Sequence, residues 1–155
     1  MDCQGCSSGP ANCQDTEIMP LPPACLNYKE LTSYTRNVIT PPHSLCDDYF
    51  CNDLTVNSHA HPDWAGPSWY RFTGSAGTRI AENHPLYLLC GVTYGGYMAG
   101  GHLKVADGEV ERTVYFHGID DSSYASTNIS VLNCREYFIY NLVDSYNNAC
   151  GYCGA

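Results

Sequence analysis

At 155 residues, with ten cysteines, 16 acidic against 7 basic side chains and a net charge of −9, the chain has the size of one domain and is strongly anionic. Such a charge repels phosphate backbones and anionic headgroups, so neither nucleic acid nor a lipid surface is an expected partner. No apolar run approaches the roughly 18–20 residues needed to cross a bilayer, and no membrane insertion by this segment is expected.

An even cysteine count at this density permits complete pairing and implies an oxidising compartment, so the chain is expected to be secreted and extracellular. The pairing set is Cys3, Cys6, Cys13, Cys25, Cys46, Cys51, Cys90, Cys134, Cys150 and Cys153. Spacing alone leaves the connectivity open, and each bridge is worth about 2–4 kcal/mol. No charged-then-apolar leader precedes Cys3, so the chain is expected to be a piece of a longer secreted polypeptide.

In chain order, residues 1–23 hold three cysteines among Gly, Ser, Pro and Asn, and read as a cross-linked, loop-rich lead-in before a domain over 24–155. Residues 24–66 carry one short predicted helix at 28–35, then Pro41-Pro42 and the cysteines at 46 and 51. Strands are predicted at 69–72, 86–90, 110–117, 128–134 and 137–142, the last two forming a hairpin with apolar residues on both faces. The stretches 74–77 and Gly95-Gly96 read as turns. The predicted fold is mostly β: a small disulfide-stapled antiparallel sheet domain with short helices and long loops.

Candidate chemistry is sparse. Asn128-Ile129-Ser130 is a glycosylation sequon and requires Asn128 to face solvent. Cys3 with Cys6 and Cys150 with Cys153 have zinc-ligand spacing, but six further cysteines in an oxidising compartment favour disulfides. His59 and His61 with Asp63 can be drawn as a metal site and are better read as a polar loop. The acidic pairs Asp47-Asp48, with Asp53, and Asp120-Asp121 lack the ligand periodicity of a calcium loop. No metal, cofactor or catalytic residue is assigned, because no nucleophile, base and orienting group occur in a recognisable frame. Thirteen tyrosines stand out, with Tyr94, Tyr97, Tyr115 and Tyr124 as the candidate interaction surface. Filling of a thin β core is the competing role for them.

The string Gly66-Pro67-Ser68-Trp69-Tyr70-Arg71-Phe72-Thr73-Gly74, then 77–82, 105–110, 112–117, 126–129, 137–142 and Cys150-Gly151-Tyr152-Cys153, resembles in order and spacing the uromodulin-like eight-cysteine domain that lies beside a zona pellucida module. The resemblance covers about the last 90 residues. Cys25 and Cys46 are similar to the two additional cysteines of the family's ten-cysteine form, extending the likeness to Ala24. Cys90, Cys134, Cys150 and Cys153 fall on the pattern, whereas His84, Tyr115, Ser122 and Ser123 stand where the family has cysteine. Paired loss of four implies the absence of two whole bridges, and the resemblance leaves Cys3, Cys6, Cys13 and Cys51 to pair among themselves. Two family glycan sites are also absent: Tyr97-Met98-Ala99-Gly100-Gly101 lacks the acceptor, and Asn141-Leu142-Val143 lacks the hydroxyl.

The resemblance implies a secreted, non-enzymatic structural or adhesive module of an extracellular glycoprotein, one that assembles into filaments. Its partners are expected to be proteins or glycans outside the cell, including copies of itself through the lead-in. The alternative is a module that presents a glycan to microbial lectins as a decoy, or binds carbohydrate through its tyrosines.

Overall fold

The computed structural model describes residues 20–39, 45–46, 59–60, 63–83, 90, 92, 94–117, 123–144 and 150–155; for 45–46, 59–60, 117 and 123–124 only the backbone is described. Nine strands are present among them: β1 (Lys29–Leu31), β2 (Leu45–Cys46), β3 (His59–Ala60), β4 (Ser68–Phe72), β5 (Tyr94–Met98), β6 (Val110–His117), β7 (Ser123–Asn133), β8 (Phe138–Leu142) and β9 (Cys150–Tyr152). Seven form one sheet in the order β1-β4-β8-β7-β6-β5-β9, and β2 and β3 make a small parallel pair. The mostly-β, disulfide-stapled fold is therefore as expected.

The centre of the sheet is an antiparallel meander, β6-β7-β8, because its connections are short and its strands alternate apolar with polar. Both edges are parallel pairings, β1 on β4 and β9 on β5, so the sheet is mixed rather than purely antiparallel. The predicted helix at 28–35 is replaced by β1 and a 3₁₀ turn at Tyr34–Arg36. Ser33 explains the short turn: its hydroxyl accepts the Thr35 N–H at 3.3 Å, and the chain is extended again at Asn37. Of the predicted strand at 86–90, only Cys90 is described, in a turn at φ 53°.

Gly95-Gly96, read as a turn, lies inside β5. A Cβ on Gly96 would meet the Phe116 ring at 2.8 Å, so glycine is required by packing against β6 rather than by a reversal of the chain.

One face of the sheet encloses the main core, with Tyr70, Phe72, Met98, Val114, Phe116, Val131, Tyr140, Leu142 and Tyr152 all essentially inaccessible. The ends of the sheet are tied together by Arg36. Its side chain is wholly buried; Nε donates to Asp63 Oδ1 at 2.8 Å and a terminal nitrogen donates to the Tyr152 carbonyl at 3.1 Å. The Asp63 carboxylate also accepts the N–H groups of Thr32 and Ser33 at 2.8 and 2.9 Å. Next to this link, Gly154 bridges to Asn37 on one side and Ile80 on the other. A methyl group at Gly154 would overlap the Ala76 carbonyl, which fixes glycine there.

Two disulfides lie among the described residues. Cys25 joins Cys134, with Cα atoms 5.8 Å apart, and Cys90 joins Cys153, with Cα atoms 5.5 Å apart. Among the same residues no helix is long and apolar enough to cross a membrane.

Candidate functional site

Strand alternation sends Trp69, Arg71, Tyr97, Glu111, Thr113, Tyr115, Ser126, Asn128, Ser130, Leu132, Ile139 and Asn141 to the outer face of the sheet. Both ends of that face are covered. Over β4, β7 and β8 lies the segment 20–28, whose Leu21, Ala24, Cys25 and Tyr28 pack with Leu132, Cys134, Ile139, Trp69 and Tyr137. The Cys25–Cys134 bridge pins this strap, the Tyr137 hydroxyl donates to the Cys25 carbonyl at 2.6 Å, and the Arg71 guanidinium sits 4.1 Å from the Tyr137 ring centre. At the β5 end, Ala81, Cys90, Val92 and Cys153 form a second cluster against Tyr97, held by Cys90–Cys153.

Between the two covers an open strip remains. Glu111, Ser126 and Asn128 are exposed there, and Thr113, Tyr115, Ser130 and Asn141 are half-buried. Asn128 lies on β7 opposite Thr113, whose hydroxyl donates to Asn128 Oδ1 at 2.9 Å. That bond uses the amide oxygen and leaves Nδ2, the atom a glycan would take, outside it.

The four candidate tyrosines separate. Tyr97 and Tyr115 are register partners on the outer face, their rings 6.0 Å apart. Tyr94 instead points inward and packs on the main core. The side chain of Tyr124 is outside the described residues. So are Cys3, Cys6, Cys13 and Cys51, His61, His84, Ser122 and the acidic residues 47, 48, 53, 120 and 121. Cys46 and His59 are described only as backbone of β2 and β3, and Ser123 as backbone opening β7. Cys150 is buried at the head of β9, beside which β2 lies. Cys153, engaged with Cys90, has no thiolate for a metal. Asp63 is committed to Arg36 and two backbone amides rather than to a histidine site. Among the described residues no three His, Cys, Asp or Glu side chains converge as metal ligands.

One polar cluster escaped the sequence reading. His102 hydrogen-bonds Glu82 through Nδ1 and the Tyr140 hydroxyl through Nε2 at 2.6 Å, while that hydroxyl accepts the Ile80 N–H at 3.1 Å. Because the Glu82 carboxylate can only accept, Nδ1 carries the ring proton, and with His102 held neutral by burial Nε2 accepts from the Tyr140 hydroxyl. The order acid, imidazole, hydroxyl is that of a hydrolase. Here, however, Tyr140 is fully buried and its oxygen is already engaged, so the chain positions loops 78–83 and 99–104 against β8 rather than attacking a substrate. Residues 82, 102 and 140 are far apart in the chain, and no local pattern announces them.

Burial holds the His102 pKa below the ordinary histidine value, against the pull of Glu82 and with help from Arg79 and Arg112. The hydrogen bond from His102 holds Glu82 below the usual carboxylate range, and burial pushes the Tyr140 hydroxyl up. A histidine depressed in the folded state contributes stability that is complete above its unfolded value and is lost as pH falls below about 6.5. Glu82 works in the same direction at lower pH. The unfolding free energy is therefore expected to drop on acidification from about pH 7.5 to 5.5, with a smaller drop in His102→Gln. Equal slopes for the two proteins in urea titrations at the two pH values would refute this account.

A family model described as the uromodulin-like eight-cysteine domain matches residues 70–154. Uromodulin of Rattus norvegicus is 31% identical over 156 residues, covering 99% of this chain and 20% of the relative. Uromodulin of Mus musculus is 28% identical over 158 residues, covering 96% of this chain and 22% of the relative. The chain thus spans about a fifth of the length of the curated relatives it matches.

Proposed function

The chain belongs to the uromodulin-like eight-cysteine domain family, and from that premise we propose that it is a secreted, non-enzymatic structural or adhesive module of an extracellular glycoprotein, working through the open strip of its sheet. The unit is residues 24–155, with 1–23 as a cysteine-rich lead-in that also contacts neighbours. The observation that carries this reading is the arrangement of the outer face. Two disulfide-pinned covers bury its apolar ends and leave a polar band with Tyr115 at one side and Asn128 at its middle. Tyr115, at a position where the family resemblance implies a cysteine, packs on Tyr97 and gives the band an aromatic contact suited to a protein surface.

Ser126→Arg places a bulky charge on this band, opposite Tyr115 and away from the core. Self-association of the purified secreted glycoprotein, followed by sedimentation velocity and electron microscopy, is expected to weaken about tenfold. Unchanged assembly at wild-type stability would reject the strip as the contact.

A second reading is favoured by the exposure of Asn128: a glycan carried there is displayed clear of both covers, for capture by microbial lectins. Enzymatic removal of N-glycans separates the two. Loss of lectin binding with assembly intact supports display; loss of assembly with lectin binding intact supports contact through the strip.

A further inference from the structure

Beside the strap lies a cleft of about 600 Å³, walled by Pro20, Leu21 and Pro22, by Lys104, Val105, Ala106 and Gly108 of one turn, and by Leu132, Asn133 and Arg135 at the end of the β7–β8 hairpin. Its surface is largely apolar, and no Asp or Glu stands among its described lining residues. In a chain with 16 acidic and 7 basic residues, two of the few cations, Lys104 and Arg135, line this one cleft.

The walls are held independently of any ligand. Asn133 Nδ2 donates to the Leu103 carbonyl at 2.8 Å, tying the hairpin to the 104–108 turn, and the Cys25–Cys134 bridge fixes the strap wall. Arg135 itself is unusual: it sits at φ 78°, where glycine is favoured, and its N–H donates to Asn133 Oδ1 at 2.8 Å. The turn needs a backbone that glycine would supply without strain, yet the position carries a long cation lining the cleft.

We propose that this cleft binds a small amphiphile with an apolar body and a single anionic head, the body lying on Leu21, Val105 and Leu132 and the head held by Lys104 and Arg135. The volume suits a ligand of that class, and an apolar cavity with a few convergent polar groups is the usual form of such a site. Charge-assisted hydrogen bonds from a guanidinium and an ammonium give the selectivity for an anion over a neutral head.

The test uses the intact folded glycoprotein and the fluorescent probe 1-anilinonaphthalene-8-sulfonate, displaced by dodecanoate or by dodecanol below their aggregation limits. Saturable binding of the probe is expected, with dodecanoate displacing it about tenfold better than dodecanol. Arg135→Gly is expected to weaken probe binding about tenfold while the protein melts no lower than wild type, because the strain at this turn is relieved. Lys104→Gln, on an exposed residue, is expected to act in the same direction. Absent binding, equal displacement by the neutral alcohol, or full affinity in the Arg135→Gly and Lys104→Gln variants would each overturn the assignment.

Discussion

Arg36→Ala is expected to cost about 3–5 kcal/mol of unfolding free energy, the range seen when one partner of a buried ion pair is removed. The guanidinium is fully buried and faces a carboxylate only 9% exposed, so truncation leaves Asp63 with its charge uncompensated. It also deprives the Tyr152 carbonyl of its donor. The loss falls on the junction between the two ends of the sheet, where the backbone hydrogen bonds from Gly154 N–H to the Arg36 carbonyl at 2.8 Å and from Val38 N–H to the Gly154 carbonyl at 3.0 Å remain. Arg36→Lys is expected to recover only part, because an ammonium does not have the planar fork that reaches Asp63 and Tyr152 together. Combining Arg36→Met with Asp63→Asn is expected to be milder than Arg36→Ala alone, since no net charge is then left buried. Urea unfolding of the four proteins checks the order. An Arg36→Ala variant within about 1 kcal/mol of wild type would show that the buried pair does not hold the sheet ends.

Removing the strap bridge as a pair, Cys25→Ala with Cys134→Ala, is expected to cost about 4 kcal/mol. The bridge closes a loop of 109 residues, so in the chain-entropy account it restricts the unfolded state strongly. Replacing both cysteines avoids an orphan thiol, which would confuse the result by mispairing. In the folded state the variant is expected to lose protection in segment 20–28 first. Among the described residues, side-chain packing, the Arg71 to Tyr28 hydroxyl hydrogen bond at 3.0 Å and the Tyr137–Cys25 hydrogen bond then remain to hold the strap. Urea titration gives the size of the effect, and hydrogen exchange gives its place. Retained strap protection with wild-type stability would mean that packing, rather than sulfur, fastens this cover.

The central strands were legible because each carries an inward apolar pair two residues apart, Tyr70 and Phe72 in β4, Val114 and Phe116 in β6, Ile129 and Val131 in β7, Tyr140 and Leu142 in β8, and a buried inner face demands that period. Strand β7 begins five residues earlier than the apolar pattern predicts. Its opening stretch, Ser123 to Thr127, holds no Val, Ile, Leu or Phe, and pairing with β6 alone recruits it. Strand β5 was hidden by Gly95-Gly96, and at Gly96 the requirement is a close approach to Phe116 and not a bend. Strands β1 and β9 have three residues each, too short for any period to register. Of the candidate site, the exposure of Asn128 follows from its place between the inward positions of Thr127 and Ile129 on a period-two strand, and so was readable. The split of the tyrosines was not, because Tyr94 and Tyr97 fall on opposite faces only once the register of β5 is known. The Glu82–His102–Tyr140 chain and the Lys104–Arg135 cleft join residues from separate loops, which no one-dimensional pattern brings together.

The link between Arg36 and Tyr152 spans 116 positions, and the strap bridge 109. The β6-β7-β8 meander can form as soon as its own residues exist, but the two ends of the sheet must wait for each other, so closure is the slow event of folding. During synthesis at about 5–20 residues per second, Cys25 emerges roughly 5–20 s before its partner. In that interval it meets nearer thiols, Cys46 and Cys51 among them, before the right one is made. Efficient maturation of this chain therefore depends on thiol exchange that can undo early, wrong bonds, and its yield should follow the isomerase capacity of the cell that makes it.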